Sequence, residues 1–178
     1  MKNFFLILIA LFSIIGCKQE PKTEKSTEDS TQIKESPNLK VVLEVLTKKD
    51  DVFEVYYYEP GEKTFSSNKF VFARVNGSMN VQEVTFNLPS DVFPERLRLD
   101  FGKNEQQDEM KFLGAKLVYG DKEYKFSQEE MANQFKPSKF LLYDPSNNNI
   151  KTMSINGRYD PYFYTMKVNN IVNFLMED

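Results

Sequence analysis

Arg96, Arg98 and Asp100 alternate with Leu97, Leu99 and Phe101 in the stretch between Pro94 and Gly102. Period-two alternation is that of a β-strand with one apolar and one charged face, and the proline and glycine punctuate its ends. Two guanidiniums and a carboxylate therefore share one face. Arg98 and Asp100, two residues apart, are within reach of an ion pair that Glu83 or Asn87 on a neighbouring strand could join. A guanidinium fork left open there would grip a uronate, sialate or phosphate group. A fork satisfied inside the protein would instead orient the neighbouring loop.

Aromatic side chains supply the second chemistry. In 52–59 the alternation places Phe53, Val55 and Tyr57 on one face and Glu54, Tyr56 and Tyr58 on the other. With the first set in the core, Tyr56 and Tyr58 stand exposed beside a carboxylate. Flat rings stack on the C–H faces of a sugar while phenol and carboxylate bond its hydroxyls. The structural alternative is that tyrosine suits half-buried pleated surface, and a one-residue slip of register would bury both. Tyr159, Tyr162, Phe163 and Tyr164 flank Asp160-Pro161 and form another aromatic cluster, either a ligand platform or a plug for one end of the fold.

Other chemistries are excluded by composition. The chain has 178 residues, no histidine and one cysteine, so Cys/His zinc sites and Ser-His-Asp or Cys-His catalysis are absent. The seven glycines are scattered and form no phosphate loop. A net charge of −3 without a basic stripe argues against a nucleic-acid partner. A glycosidase needs two carboxylates about 5–9.5 Å apart in a cleft. With 26 acidic residues such a pair is certain somewhere and indicates nothing, so no catalytic residue is assigned and no enzyme is expected. Two turns offer oxygens for a structural calcium: Asp144, Ser146, Asn147 and Asn149, and Asp100, Asn104, Glu105, Asp108 and Glu109. Neither has the spacing of a calcium loop, so solvated turns are the favoured reading and no cofactor is expected.

The elements that position these residues follow from the patterning. Residues 1–15 carry Lys2 and an apolar run too short to span a bilayer, as in a secretory signal. The run ends in Ile14-Ile15-Gly16-Cys17, which resembles the lipobox of bacterial lipoproteins and implies a signal peptide over 1–16 and a lipid anchor on Cys17. From Lys18 to Asn38 the composition is polar and charged with only Ile33 apolar, which predicts a flexible linker over 17–38. The folded domain is expected over 39–178, about 140 residues, enough for one core.

Within it, strands are expected at 39–45, 52–59, 70–75, 84–88, 96–101, 113–119, 123–126, 140–143, 150–156 and 162–168. The 70–75 strand, apolar on both faces, reads as central in its sheet. Ser127-Gln128-Glu129-Glu130 has the form of a capping box and predicts one short helix, stopped by Pro137. Residues 171–176 are ambiguous between strand and helix. Many short strands with one brief helix predict an all-β, jelly-roll-type β-sandwich, with a closed barrel as the alternative.

Phe86-Asn87-Leu88-Pro89, the 96–102 stretch and Gly157-Arg158-Tyr159-Asp160-Pro161-Tyr162-Phe163 occur in an order similar to that of the carbohydrate-binding-module-like β-sandwiches of Gram-negative envelope proteins. The resemblance covers roughly half the chain and implies a jelly roll associated with glycans. The absence of tryptophan departs from such modules. The expectation is an envelope lipoprotein, held to a Gram-negative membrane by its N-terminal lipid, whose β-sandwich binds glycan without catalysis. An accessory subunit docking an envelope protein is the alternative, and a glycan-active enzyme is the third.

Overall fold

The computed structural model describes residues 37–107 and 109–177. The expected signal segment, Cys17 and the linker up to residue 36 lie outside the described residues, as does Asp108. The rest is an all-β sandwich. One sheet is built from β1 (Lys40–Thr47), β4 (Gln82–Asn87), β6 (Glu109–Tyr119), β9 (Leu141–Asp144) and β10 (Asn149–Thr152), in the order β4-β1-β6-β10-β9, with β7 (Lys122–Lys125) paired to β6. The other holds β2 (Asp51–Tyr58), β3 (Phe70–Val75), β5 (Arg96–Asp100), β8 (Phe135–Pro137) and β11 (Tyr162–Thr165), in the order β3-β2-β5-β11-β8. Every pairing is antiparallel. The chain passes from one sheet to the other at most connections, as in a jelly roll, and two separate sheets replace the barrel alternative.

Period-two burial explains the two layers. Val41, Leu43 and Val45 of β1, Phe53, Val55 and Tyr57 of β2, and Leu97 and Leu99 of β5 all turn into the core. Aromatic rings then bridge the sheets. Phe112 of β6 lies 5.2 Å from Phe101 at the end of β5 and 5.6 Å from Phe163 of β11, and Phe135 of β8 lies 5.8 Å from Phe112. Offset and edge-on contacts of this kind add to the area they bury.

Two helices, not one, cover the sheets. Helix α1 (Gln128–Gln134) begins at the predicted capping box: Ser127 Oγ accepts from the Glu130 N–H and Glu130 Oε2 accepts from the Ser127 N–H at 2.8 Å. The ambiguous C-terminal segment is α2 (Asn169–Met176), which buries Val172 and Leu175 at helical spacing. Strand β3 is an edge strand, not the central one that its composition indicates. Its outward residues Phe70 and Phe72 are apolar but open to solvent.

Candidate functional site

The outer face of the β3-β2-β5-β11-β8 sheet gathers most of the residues singled out by spacing. Register sets them in rows. Phe72, Glu54, Asp100 and Tyr162 lie abreast on β3, β2, β5 and β11, and Phe70, Tyr56, Arg98 and Tyr164 form the adjacent row. Tyr58 and Arg96 face each other in the next. The pairing of β2 with β5, distant in sequence, is what brings the tyrosine strand beside the arginine strand.

Arg98 is the hub. Its Nε and Nη2 donate to Oδ1 and Oδ2 of Asp100, both at 2.7 Å, and Nη2 also donates to Oδ1 of Asp160 at 2.6 Å. The guanidinium carbon sits 3.8 Å from the ring centroid of Tyr162 and 5.3 Å from that of Tyr56. Arg158 donates to the other oxygen of Asp160 at 2.9 Å. The fork is thus spent inside the protein and fixes the loop carrying Asp160. Glu83 and Asn87, expected as partners, belong to β4 in the opposite sheet. Asp160 takes their place.

Glu54 is 7% exposed. Its Oε2 accepts from the Tyr56 hydroxyl at 3.0 Å, and its Oε1 accepts from Lys103 Nζ at 2.5 Å. Lys103 is brought there by the turn after β5. Gly102 adopts φ +93, and the Asp51 carboxylate accepts from the backbone N–H groups of Val52, Lys103 and Asn104. A Cβ on Gly102 would fall within that carboxylate.

Crowding shifts the titration of these groups. Burial, with help from the nearby Asp160 and Glu54 carboxylates, pushes Asp100 up to about 6 against the pull of Arg98. Burial is the largest single influence on Arg98 and works against its cation, but the hydrogen bond to Asp100 and the charges of Asp100 and Asp160 together outweigh it, and its pKa is raised. The ion pair therefore holds arginine charged more firmly than it holds Asp100 charged. Tyr56 is pushed up to about 12 by burial and by its bond to Glu54.

These groups line a cleft of about 210 Å³, walled by Glu54, Tyr56, Asp100, Lys103, Tyr159 and Asp160. The Tyr159 hydroxyl donates to Thr152 Oγ1 at 3.1 Å, and Phe163 of the same cluster is fully buried core. The expected pair of exposed tyrosines does not form. Tyr58 points outward as expected, yet is only 9% exposed because Phe65 folds over it with ring centroids 4.9 Å apart. Tyr56 is flanked by Phe70, stacked at 5.1 Å, and by Arg98, so its faces are already covered. Arg96 makes no ion pair, and its Nε is buried without a hydrogen-bond partner among the described residues.

Open aromatic surface comes from Phe72, 63% exposed beside Glu54. Its spacing puts it on one face with Phe70, but an apolar residue in a strand reads as core unless the strand lies at an edge. Asp160 stands in the sequence between Tyr159 and Pro161, with no local signal that pairs it with Arg98.

Among the described residues, the side chains of both oxygen-rich turns are engaged in hydrogen bonds within the protein. Asp144 accepts from Ser146 and Asn147 within its own turn. Asn104 bonds Asp50 and Gln106 backbone groups, whereas Glu105 bonds Ser154. Among the described residues no group of three or more acidic, histidine or cysteine side chains has a metal-holding arrangement.

No protein-family model matches the chain, and comparison with curated proteins and with solved structures gives no match. The site therefore has to be read from its own geometry.

Proposed function

We propose that this domain binds glycan without catalysis, on the outer face of the β3-β2-β5-β11-β8 sheet. The observation that carries the reading is the row Phe72–Glu54–Asp100, which sets a solvent-open ring directly across from a cleft lined by carboxylates and phenols. A sugar presents an apolar C–H face and a rim of hydroxyls, and this row offers a counterpart to each. Asp100 and Asp160 are tied to Arg98, and Glu54 to Lys103, an arrangement suited to holding a ligand rather than to moving protons. The lipobox-like Ile14-Ile15-Gly16-Cys17 supports anchorage in a Gram-negative envelope through lipid on Cys17.

The test is a glycan-array screen of the protein alongside a Phe72→Ala variant. Binding by the parent that the folded variant loses supports the reading. A folded parent that binds nothing across a broad array overturns it. One observation favours a second reading: β3 is an edge strand with two exposed phenylalanines, a place where a protein partner could add a strand. Pull-down from envelope extracts that depends on Phe70 and Phe72 would support that alternative.

A further inference from the structure

The cleft is rich in acceptors and poor in available cations, and this decides which glycans it can admit. Each carboxylate has about four lone-pair positions. Asp100 uses its two oxygens on Arg98, Asp160 on Arg98 and Arg158, and Glu54 on Tyr56 and Lys103, one side-chain donor to each oxygen. The remaining lone pairs call for further donors. Arg98, the residue that would have gripped an anion, has its Nε and Nη2 edge fully engaged, so no bidentate fork is left for an incoming carboxylate or phosphate.

Lys103 is the other cation within the cleft, and it is 70% exposed. Drawing it off to meet an anionic ligand would leave the buried Glu54 carboxylate without its charge partner, and unpairing a buried ion is costly. An anion entering the cleft would also face three carboxylates at close quarters. A neutral polyol has neither problem. Its vicinal hydroxyls donate to the open carboxylate positions and to the tyrosine oxygens, and accept from Lys103.

Resting on the glycan reading above, we propose that this cleft takes the hydroxyl edge of a neutral sugar, with one ring face against Phe72, and rejects acidic glycans. This reverses the uronate, sialate or phosphate ligand that Arg96 and Arg98 indicate when only the sequence is considered. The cleft volume of about 210 Å³ is below the roughly 300–1,000 Å³ of pockets that enclose drug-sized ligands, so it holds one ring while the rest of the chain lies outside.

The experiment uses the full chain in mild detergent, with immobilised neutral polysaccharides (dextran, laminarin, galactomannan) and acidic ones (alginate, pectate, chondroitin sulfate). Ionic strength is held near 0.15 M to screen remote charge. The expected result is binding to at least one neutral probe at least tenfold tighter than to any acidic probe. Glu54→Gln, which removes a carboxylate and frees Lys103, should narrow that ratio by raising acidic binding, with near-UV circular dichroism confirming its fold. Equal or preferential binding of an acidic probe by the parent overturns this inference and leaves the glycan role standing. Silence with every probe overturns both. A Glu54→Gln variant that does not fold is replaced by Lys103→Ala, which should leave the neutral preference of at least tenfold in place; a parent preference that vanishes there overturns the carboxylate argument.

Discussion

The guanidinium of Arg98 lies 3.8 Å above the ring of Tyr162, which stands directly opposite Asp100, not Arg98, in the β5–β11 pairing. This diagonal contact lets one arginine do two things. It packs flat on the neighbouring strand while its edge reaches both Asp100 and the loop carboxylate Asp160. One side chain therefore ties Asp100, Asp160 and Tyr162 together.

Arg98→Ala should then destabilise the domain well beyond an ordinary surface change. It leaves the mostly buried Asp100 without its cation and Asp160 with Arg158 alone, a loss of about 3–5 kcal/mol for a buried pair. Urea unfolding monitored by tyrosine fluorescence reads this directly. Arg98→Lys should recover only part of the stability, because a single ammonium cannot bond Asp100 through two nitrogens and reach Asp160 while lying over Tyr162. Full recovery by lysine would show that charge alone matters.

Asp100 should reverse the usual acid response. Its native pKa is raised from 3.8 to about 6, so the folded state holds the proton more tightly than the unfolded state. Its contribution to stability is fully present below about pH 4 and is lost as pH rises through 6. The loss is worth about 3 kcal/mol at neutral pH, taking 1.36 kcal/mol per pKa unit. Comparing the parent with Asp100→Asn should show the parent losing ground to the variant between pH 4 and 6. Carboxyl NMR should place the Asp100 midpoint near 6, and a midpoint below 4 would sink the claim.

Gly102→Ala should be among the most damaging small substitutions. The position has φ +93, and the added methyl would collide with the Asp51 carboxylate that organises the turn. A cost of roughly 2–4 kcal/mol is expected, from strain together with loss of the turn's hydrogen bonds to Asp51. Thermal unfolding measures it. Gly61 also has positive φ, at +94, but has open space around it, so Gly61→Ala should cost only the conformational part and lower the Tm less.

Local patterns were legible in the sequence, and long-range neighbours were not. Leu97, Leu99 and Phe101 face the core because alternation admits no other register, and Ser127 caps α1 because serine followed by glutamate three residues later satisfies the two orphan N–H groups of a helix start. The face shared by Glu54, Tyr56 and Tyr58 was read correctly for the same reason. What covers that face was not readable. Phe65 over Tyr58 comes from a loop, and Asp160 beside Arg98 comes from a residue 62 positions away. Successive strands β4 and β5 lie in different sheets, so proximity in sequence named Glu83 and Asn87 as partners where the loop before β11 supplies Asp160. The edge position of β3 was hidden because apolar residues on both faces describe a buried strand and an aromatic binding edge equally well.

That ambiguity gives the last test, a paired comparison of Phe112 and Phe72. Phe112 is fully buried between the sheets, touching Phe101, Phe135, Tyr143 and Phe163, so Phe112→Ala removes a ring that no neighbour can replace. It should cost about 3–5 kcal/mol. Phe72 lies on an edge strand with most of its ring in solvent, so Phe72→Ala should stay within about 0.5 kcal/mol of the parent in denaturant. If the two variants lose similar stability, Phe72 is holding the fold rather than offering a surface. If Phe72→Ala is silent in unfolding, a ring exposed at no benefit to stability is there for a partner, and its loss should be felt only in binding.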